Sequence, residues 1–134
     1  MFVLDSNTLI YFFKGMGHVA EHLLSTPPKE VALPAIVLHE LETGIAKSTS
    51  PDKRRRQLAE LLSWMEILPF GLEEARTSAR IRATLEKAGT PIGPLDTLIA
   101  GTALRHQGTL VTRNIDELGR VRELALVNWY DDPP

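Results

Sequence analysis

Short apolar runs alternate with longer helical segments along the chain, and this alternation constrains the fold more than any other feature. The apolar runs cover residues 2–4, 31–33, 67–68, 109–112 and 126–127. Runs this short, bounded by Pro, Gly and polar residues, are typical of buried strands. Strands that are separated by helices usually form a parallel sheet. We therefore predict an α/β fold with a central parallel sheet of four to five short strands and helices on both faces.

Helical segments fill the intervals between these runs. We predict helices over residues 6–14, 35–47, 52–64, 72–88 and 94–107, a further helix ending near Ser25, and a helical turn over 115–118. Ser6 or Asn7 is the expected N-cap of the first helix, because both side chains can accept a backbone N–H. Pro94 favours a helix start, since its missing N–H would be unpaired there anyway.

Length and composition restrict the classes of protein that this chain can belong to. The 134 residues fit one domain of ordinary size, which we expect to span residues 1–134. The absence of cysteine excludes disulfides and zinc–thiolate sites. No apolar run is long enough to span a bilayer, so we expect a cytoplasmic protein without membrane contact. The net charge of −2 argues weakly against a large nucleic-acid surface, although acids in one pocket can mask a basic rim.

Asp5 directly follows the first apolar run. Right-handed crossovers place the carboxyl ends of parallel strands at one edge of the sheet, where open α/β folds bind their ligands. Residues 112–114 lie at the end of the fourth run and just after it, and should lie at the same edge. An Asp before a helix is often only a cap, worth about 1 kcal/mol. With Ser6 or Asn7 as the expected cap, however, Asp5 would be free for another role.

Glu40 and Glu42 lie on opposite sides of an apolar stripe on the third helical segment. Only one of them can face the sheet edge. Gly44 follows Glu40 by one turn, and a glycine inside a helix usually marks the close approach of another group. This favours Glu40 as the inward residue. The alternative is that both carboxylates are solvated and merely flank the core.

Asp96 shares a helical face with apolar and small residues. They are Ile99, Ala100, Ala103 and Leu104. A charge on such a face is costly to bury unless it is paired or bound to a metal. Stabilisation of the helix dipole by an acid in the first turn would explain Asp96 but not its apolar neighbours.

The segment after the fourth apolar run carries two more acids, Asp116 and Glu117. Asn114 with Glu117 three residues later resembles a capping box, and Asp116 would then be a first-turn acid that favours the dipole. Either carboxylate, or the Thr112 hydroxyl, could instead reach a metal or its waters.

These motifs, taken in order, resemble those of the PIN-domain ribonucleases, and among them the VapC-type toxins of toxin–antitoxin pairs. The resemblance covers nearly the whole chain. The matching segments are Leu4-Asp5-Ser6-Asn7, Leu38-His39-Glu40-Leu41-Glu42-Thr43-Gly44, Pro91-Ile92-Gly93-Pro94-Leu95-Asp96 with Ile99-Ala100, Leu110-Val111-Thr112-Arg113-Asn114 and Val127-Asn128-Trp129.

The resemblance implies a PIN-like fold and an endoribonuclease with catalytic acids at Asp5, Glu40 and Asp96. Many relatives carry Asp where this chain has Asn114, so the fourth acid falls on Glu117 or the adjacent Asp116. Carboxylates are hard ligands suited to Mg²⁺, with Mn²⁺ as an alternative. We expect Asp5 and Asp96 to be direct metal ligands and Glu40 to act through a water.

Partners follow from the same resemblance: an RNA substrate, a cognate VapB-like antitoxin and a second copy of the chain in a homodimer. Several basic residues could contact phosphates, although solvated surface positions are the simpler interpretation of each. They are Arg113, the run 53–56, Arg76, Arg80 and Lys87. Tyr11 or Phe12 lies in a stretch more apolar than one buried face needs. We hypothesise that one of them contacts the antitoxin or the other subunit, with core packing as the alternative.

Several other functions would share part of this pattern. A PIN nuclease that processes RNA without being a toxin, or an inactive PIN module that only binds, would share the fold, but the inactive module is disfavoured because all three principal acids are present. A receiver-like phosphoacceptor needs an Asp at a middle strand end, and residues 67–70 supply none. A phosphatase with Asp-x-Asp after its first strand is disfavoured because Asn7 occupies the second position.

Overall fold

The computed structural model describes residues 1–134 and contains five strands and seven α-helices. A short 3-10 turn at Pro28–Glu30 precedes the second strand. The elements are β1 (Phe2–Leu4), α1 (Ser6–Lys14), α2 (Val19–Leu24), β2 (Val31–Pro34), α3 (Ala35–Lys47), α4 (Pro51–Leu62), β3 (Glu66–Leu68), α5 (Leu72–Lys87), α6 (Pro94–Arg105), β4 (Thr109–Val111), α7 (Ile115–Leu118) and β5 (Ala125–Val127). The predicted elements are all present, most of them within one or two residues of the expected bounds.

All five strands are parallel and lie in the order β3-β2-β1-β4-β5. The central strand, β1, pairs Val3 with Ala32 of β2 on one side and with Leu110 of β4 on the other. The chain builds the sheet outward from β1 through β2 to β3, then returns to β4 and continues to β5. This reversal places a topological switch point between β1 and β4, where ligands of open α/β sheets bind. The predicted parallel α/β fold is confirmed.

The inner strands are buried on both faces, as parallel sheets covered by helices require. Val3 and Leu4 of β1, Leu33 of β2, and Leu110 and Val111 of β4 have no exposed surface. Consecutive apolar residues in each short strand explain this burial, because neighbouring side chains point to opposite faces. None of the helices combines the length and the apolar character needed to cross a membrane.

Helices α5 and α6 pack closely through Gly101. A Cβ atom at this position would lie 2.8 Å from Cα of Ser78 on α5, so only glycine fits the contact. Ala100 and Ala103 are also fully buried, which lets the helix axes approach. This close contact fixes α6 and thereby places its first turn, with Asp96, at the carboxyl edge of the sheet.

The prediction that Ser6 or Asn7 caps α1 is wrong. Asp5 is the N-cap: its backbone is extended, with φ −83° and ψ 171°, and Oδ1 accepts a hydrogen bond from the Thr8 backbone N–H at 2.9 Å. Ser6 is already the first helical residue. The last strand residue is therefore followed at once by the capping residue, which gives Asp5 a structural role in addition to any functional one.

Two further local expectations are corrected. Asn114 makes no side-chain capping bond to α7, so the expected capping box with Glu117 is not formed. The side chain of Asn114 instead donates Nδ2–H to Glu117 Oε2 at 3.0 Å. Gly44 is exposed, and a Cβ there would meet nothing within 4 Å, so close approach of another group does not explain this glycine.

Candidate active site

Asp5 lies at the switch point between β1 and β4 and is 7% exposed. Its backbone N–H donates to the carbonyl of Val111 at 3.2 Å, which continues the pairing of the two strands by one residue. The Thr8 hydroxyl donates to the same carbonyl at 3.1 Å. These bonds fix the position of the Asp5 carboxylate at the edge of the sheet.

Burial raises the pKa of Asp5 above its ordinary value, and hydrogen bonds from Thr8 and Thr112 only partly oppose this effect. Thr112 is fully buried just after β4, and its Oγ1 also accepts the Asn114 backbone N–H at 3.0 Å. The two threonines therefore support a carboxylate that the surrounding apolar atoms disfavour in its charged form.

Glu40 reaches the site from α3. The Ser6 hydroxyl donates to Glu40 Oε1 at 2.6 Å, joining the first turn of α1 to α3 across 34 residues of sequence. Glu40 is half-buried, whereas Glu42 is exposed. The two glutamates thus point to opposite sides of the apolar stripe formed by Val37, Leu41 and Ile45, all of which are buried.

Asp96 enters from the first turn of α6 and is half-buried. Burial is the largest cause that raises the pKa of its carboxyl, to about 6, followed by the negative charges of Glu117, Asp5 and Glu40. Because charges at partly buried sites are screened less than exposed ones, the three nearby carboxylates act on Asp96 in addition to burial. Acids from four separate segments therefore lie in the same region, although no three of them are close enough to enclose an ion.

Glu117 is the member of the final acidic pair that belongs to this cluster. Its Oε1 accepts the Gly93 backbone N–H at 3.0 Å, just before α6 begins, and Oε2 accepts from Asn114. The hydrogen bond from Asn114 is the largest cause that lowers the pKa of Glu117, followed by that from Gly93. Asp116 is exposed and is not among the charges that shift Asp96. The structure brings Glu117 to the site and leaves Asp116 outside it.

The donor set fits a hard divalent cation. Carboxylate oxygens are the preferred ligands of Mg²⁺ and Mn²⁺, and mutual repulsion around Asp96 is relieved when a cation lies among the acids. No three His, Asp or Glu side chains stand close enough to one another to enclose an ion. Mg²⁺ characteristically binds one or two carboxylates and keeps several waters, so a sparse protein ligand set suits it.

Two cavities each border one of these acids, Asp5 or Glu40. One, of about 250 Å³, is lined by Asp5, Asn7, Tyr11, Arg113 and Asn114. The other, of about 300 Å³, lies between α1, α3 and α4 and includes Glu40, Gly44 and Arg54 in its wall. The missing side chain of Gly44 leaves room in this second cavity. Asp5 and Glu40 are therefore each accessible from a cavity that holds a ligand larger than an ion.

Sequence reasoning missed the groups that hold the acids in place. Ser6 was expected at most to cap α1, and Thr8 was not considered. A hydroxyl at the first and third positions of a helix carries no signal of a partner 34 or 103 residues away. Thr112 was named only as a possible metal contact. Its position directly after an apolar run, like that of Asp5, was the signal that could have linked it to the site.

Of the basic residues suggested as phosphate contacts, some lie beside the acids and others lie elsewhere. Arg113 lines the cavity beside Asp5, and Arg54 lines the cavity beside Glu40. Arg55 lies 3.9 Å from Asp52, an exposed pair on α4. On α5, Arg80 lines a separate cavity of about 580 Å³ with Arg120 and Arg122.

Comparison with known proteins agrees with this architecture. The family model of the PIN domain matches residues 2–124, and the chain belongs to the PIN domain family. The predicted resemblance is confirmed.

Several similar proteins and solved structures are named VapC or VapBC. The chain is 34% identical over 131 residues to ribonuclease VapC2 of Rickettsia felis, covering 96% of this chain and 98% of the relative. It is 30% identical over 128 residues to the tRNA(fMet)-specific endonuclease VapC of Salmonella typhimurium, covering 96% and 97%. A chain of the crystal structure of VapBC2 from Rickettsia felis, bound to a promoter DNA fragment, superimposes with a TM-score of 0.88 at 34% identity, covering 96% and 98% of the two chains. A chain of DNA-bound VapBC from Salmonella typhimurium gives 0.89 at 32% identity, covering 96% and 97%.

Proposed function

We propose that this protein is a metal-dependent endoribonuclease that hydrolyses RNA phosphodiester bonds and is the toxin of a VapBC-type toxin–antitoxin pair. The observation that carries the proposal is that Asp5, Glu40 and Glu117 lie near enough to the half-buried Asp96 for their charges to add to burial in raising its pKa, to about 6. The names of the relatives, ribonuclease and endonuclease VapC, support the same activity.

Mg²⁺ is the proposed cofactor, and Mn²⁺ can take its place. Asp5 and Asp96 are the proposed direct ligands, because they are the two acids whose charged forms the protein itself disfavours. Asp5 is held as the cap of α1, and Asp96 lies in the first turn of α6. When bound, the ion lowers the pKa of a water and stabilises the charge that develops on the phosphate oxygens.

Glu40 is the proposed acceptor of a proton from the attacking water. The Ser6 hydroxyl occupies Oε1, which leaves Oε2 free to hold that water. A carboxylate oriented by a neighbouring hydroxyl keeps its free oxygen in one place, and positioned proton acceptors contribute about 10²- to 10⁴-fold to rate. Glu117, oriented by hydrogen bonds from Asn114 and Gly93, would serve a second ion if two are bound.

The partners proposed for this chain are the RNA substrate, a VapB-like antitoxin and a second copy of the chain. Solved relatives are VapBC complexes from Rickettsia felis and Salmonella typhimurium, which supports an antitoxin partner. A cytoplasmic location follows from that role and stays a prediction. The assignment as a toxin, rather than an RNA-processing nuclease, also rests on these relatives.

Phe12 is the proposed contact for the antitoxin or for the second subunit. It lines a cleft of about 280 Å³ with Phe13, Leu24 and Trp64, and Leu24 is 74% exposed. Tyr11 instead packs edge-on against Tyr130, with ring centroids 4.6 Å apart, so it is engaged within the chain. Unchanged complex formation by the Phe12→Ala protein would retire this proposal.

The experiment that tests the proposed function is cleavage of RNA by purified, antitoxin-free protein with and without Mg²⁺. Asp5→Asn and Asp96→Asn should abolish cleavage while the fold is retained, because Asn preserves the size of each side chain and can still cap α1 at position 5. Glu42→Gln, on the exposed side of α3, is the matched control and should cleave like the wild type. Undiminished cleavage by both Asn variants would refute the assignment.

A further inference from the structure

Arg113 occupies an unusual position at the rim of the active site. Its guanidinium lies over the ring of Tyr130, with Cζ 3.6 Å from the ring centroid, and 5.8 Å from the ring centroid of Tyr11. Both Arg113 and Tyr11 line the same cavity as Asp5. An arginine stacked on aromatic rings loses little further side-chain freedom when it binds a ligand, because its planar fork is already oriented.

The support beneath Arg113 is itself fixed. The backbone N–H of Tyr130 donates to Asn128 Oδ1 at 3.0 Å, and its carbonyl accepts the His18 backbone N–H at 3.0 Å. A Cβ atom at Gly17 would lie 2.7 Å from the Tyr130 ring, so glycine is needed for the chain to pass there. These contacts hold the aromatic surface in one orientation beside Asp5.

Arg113 has more hydrogen-bond donors than the protein uses. A guanidinium carries five N–H bonds. Nε donates to Asp131 Oδ2 at 3.3 Å, and the Tyr11 hydroxyl beside the guanidinium has two lone pairs at most. At least two N–H bonds therefore remain for a ligand, and the side chain is 44% exposed. Asp131 also accepts from Asn128 Nδ2 at 2.9 Å, so it does not depend on Arg113 alone.

The negative charge of the carboxylates near Asp5 would repel RNA, and the positive charge of Arg113 offsets it. A phosphodiester that approaches four carboxylates meets repulsion, and a cation at the rim offsets it. A guanidinium fork binds two phosphate oxygens at once, which positions as well as attracts. Attachment to Asp131 is the competing explanation, in which Arg113 only anchors the residues after β5.

We propose that Arg113 binds an RNA phosphate in the cavity bordered by Asp5, so that the adjacent scissile bond lies against the acids. This inference rests on the proposed function and adds a substrate-positioning residue to it. Tyr130 and Tyr11 hold the guanidinium, and Asn7 and Asn114 complete the polar wall of the same cavity.

The test measures binding of a labelled single-stranded RNA by fluorescence anisotropy, in an Asp96→Asn background that does not cleave. Arg113→Ala should raise the dissociation constant about tenfold and reduce the slope of log affinity against log salt by about 0.7 to 1. Arg113→Lys keeps the charge but loses the fork and the stacking, so it should fall between Ala and the parent. Lys also keeps the test usable if the Ala protein fails to fold.

Asp131→Asn separates the two explanations. It removes the ion pair but leaves the guanidinium, so RNA binding should stay equal or become tighter if Arg113 contacts phosphate. Equal weakening by Asp131→Asn and Arg113→Ala would assign Arg113 to anchoring the residues after β5 and overturn the proposal, as would an unchanged dissociation constant for Arg113→Ala. Cleavage by protein with an intact Asp96 is measured in parallel. If the protein with Asp96 intact neither cleaves nor binds RNA, the proposed function is contradicted. If that protein cleaves RNA and Arg113→Ala changes neither cleavage nor binding, only the role of Arg113 is contradicted.

Discussion

Glu74 and Asp96 are acids in the first turns of two helices that pack together, α5 and α6, and their surroundings are opposite. Glu74 is 7% exposed and accepts the Gly71 backbone N–H at 2.9 Å and a bond from His106 Nε2 at 3.1 Å. The pKa of Glu74 is lowered, chiefly by the bond from Gly71. Asp96 has other carboxylates nearby, and burial, followed by their charges, raises its pKa to about 6.

The opposite pKa shifts separate an acid whose charge stabilises the fold, Glu74, from one whose charge costs stability, Asp96. A carboxylate with its own donors is more stable charged in the folded state than in the unfolded state. Carboxylates that repel each other cost stability, and a folded protein retains such an arrangement where a ligand relieves it. From this comparison we propose that Glu74 belongs to the scaffold and Asp96 to the site.

Asp96→Asn should give the largest change in activity. We expect RNA cleavage to fall by about 10³-fold, because a proposed metal ligand is replaced by a neutral amide. The melting temperature should stay equal or rise, since the variant removes a charge that its neighbours repel. Cleavage rates and thermal melts of the same preparation check both parts. A variant that loses activity only in proportion to lost folded protein would place Asp96 in the scaffold.

Glu40→Gln should give the next largest change, about 10²-fold slower cleavage. The amide keeps an oxygen for the Ser6 hydroxyl but cannot take a proton from water. Glu42→Gln, two residues away on the exposed side of α3, is the matched control and should retain the wild-type rate. Single-turnover cleavage at saturating RNA separates the chemical step from binding. Similar rates for the two variants would contradict the role given to Glu40.

Glu74→Gln should lower stability without changing the cleavage rate of the folded protein. The amide can still accept from Gly71, but it loses the charge that strengthens the bonds to Gly71 and His106, which costs about 1 kcal/mol. Denaturant unfolding at neutral pH measures this loss. Reduced turnover in a fully folded Glu74→Gln protein would remove the distinction between the two acids.

The loss of stability in Glu74→Gln should depend on pH. The folded-state pKa of Glu74 lies below its ordinary value of 4.5, so the stabilisation by its charge is present above that value. It is lost as pH falls through the lowered folded pKa. The difference in unfolding free energy between wild type and Glu74→Gln should therefore shrink below about pH 4. A difference that persists unchanged in acid would show that charge is not the cause.

The order of strands and helices could be predicted because its signals are local. Apolar runs bounded by Pro and Gly set the strands, and helical periodicity placed Glu40 and Glu42 on opposite sides of α3. The resemblance to the PIN-domain motifs and the position of Gly44 then favoured Glu40. The choice rested partly on Gly44, however, and that part was wrong, because Gly44 borders a cavity rather than a close contact.

The support of the site could not be predicted, because it depends on contacts between distant segments. The bond from Ser6 to Glu40 and the bond from the Gly93 backbone to Glu117 exist only after the sheet has brought α1, α3, α6 and α7 to one edge. The capping role of Asp5 was missed for another reason. Strand end and helix cap fall on the same residue, and two other good capping residues follow it at once.

Calorimetric titration of the antitoxin-free protein with Mn²⁺ tests most directly whether these acids form a cation site. Wild type and Glu74→Gln should bind with similar affinity, whereas Asp5→Asn and Asp96→Asn should bind at least about tenfold more weakly. Wild-type affinity in both Asn variants would contradict the central claim that the converging carboxylates hold the metal.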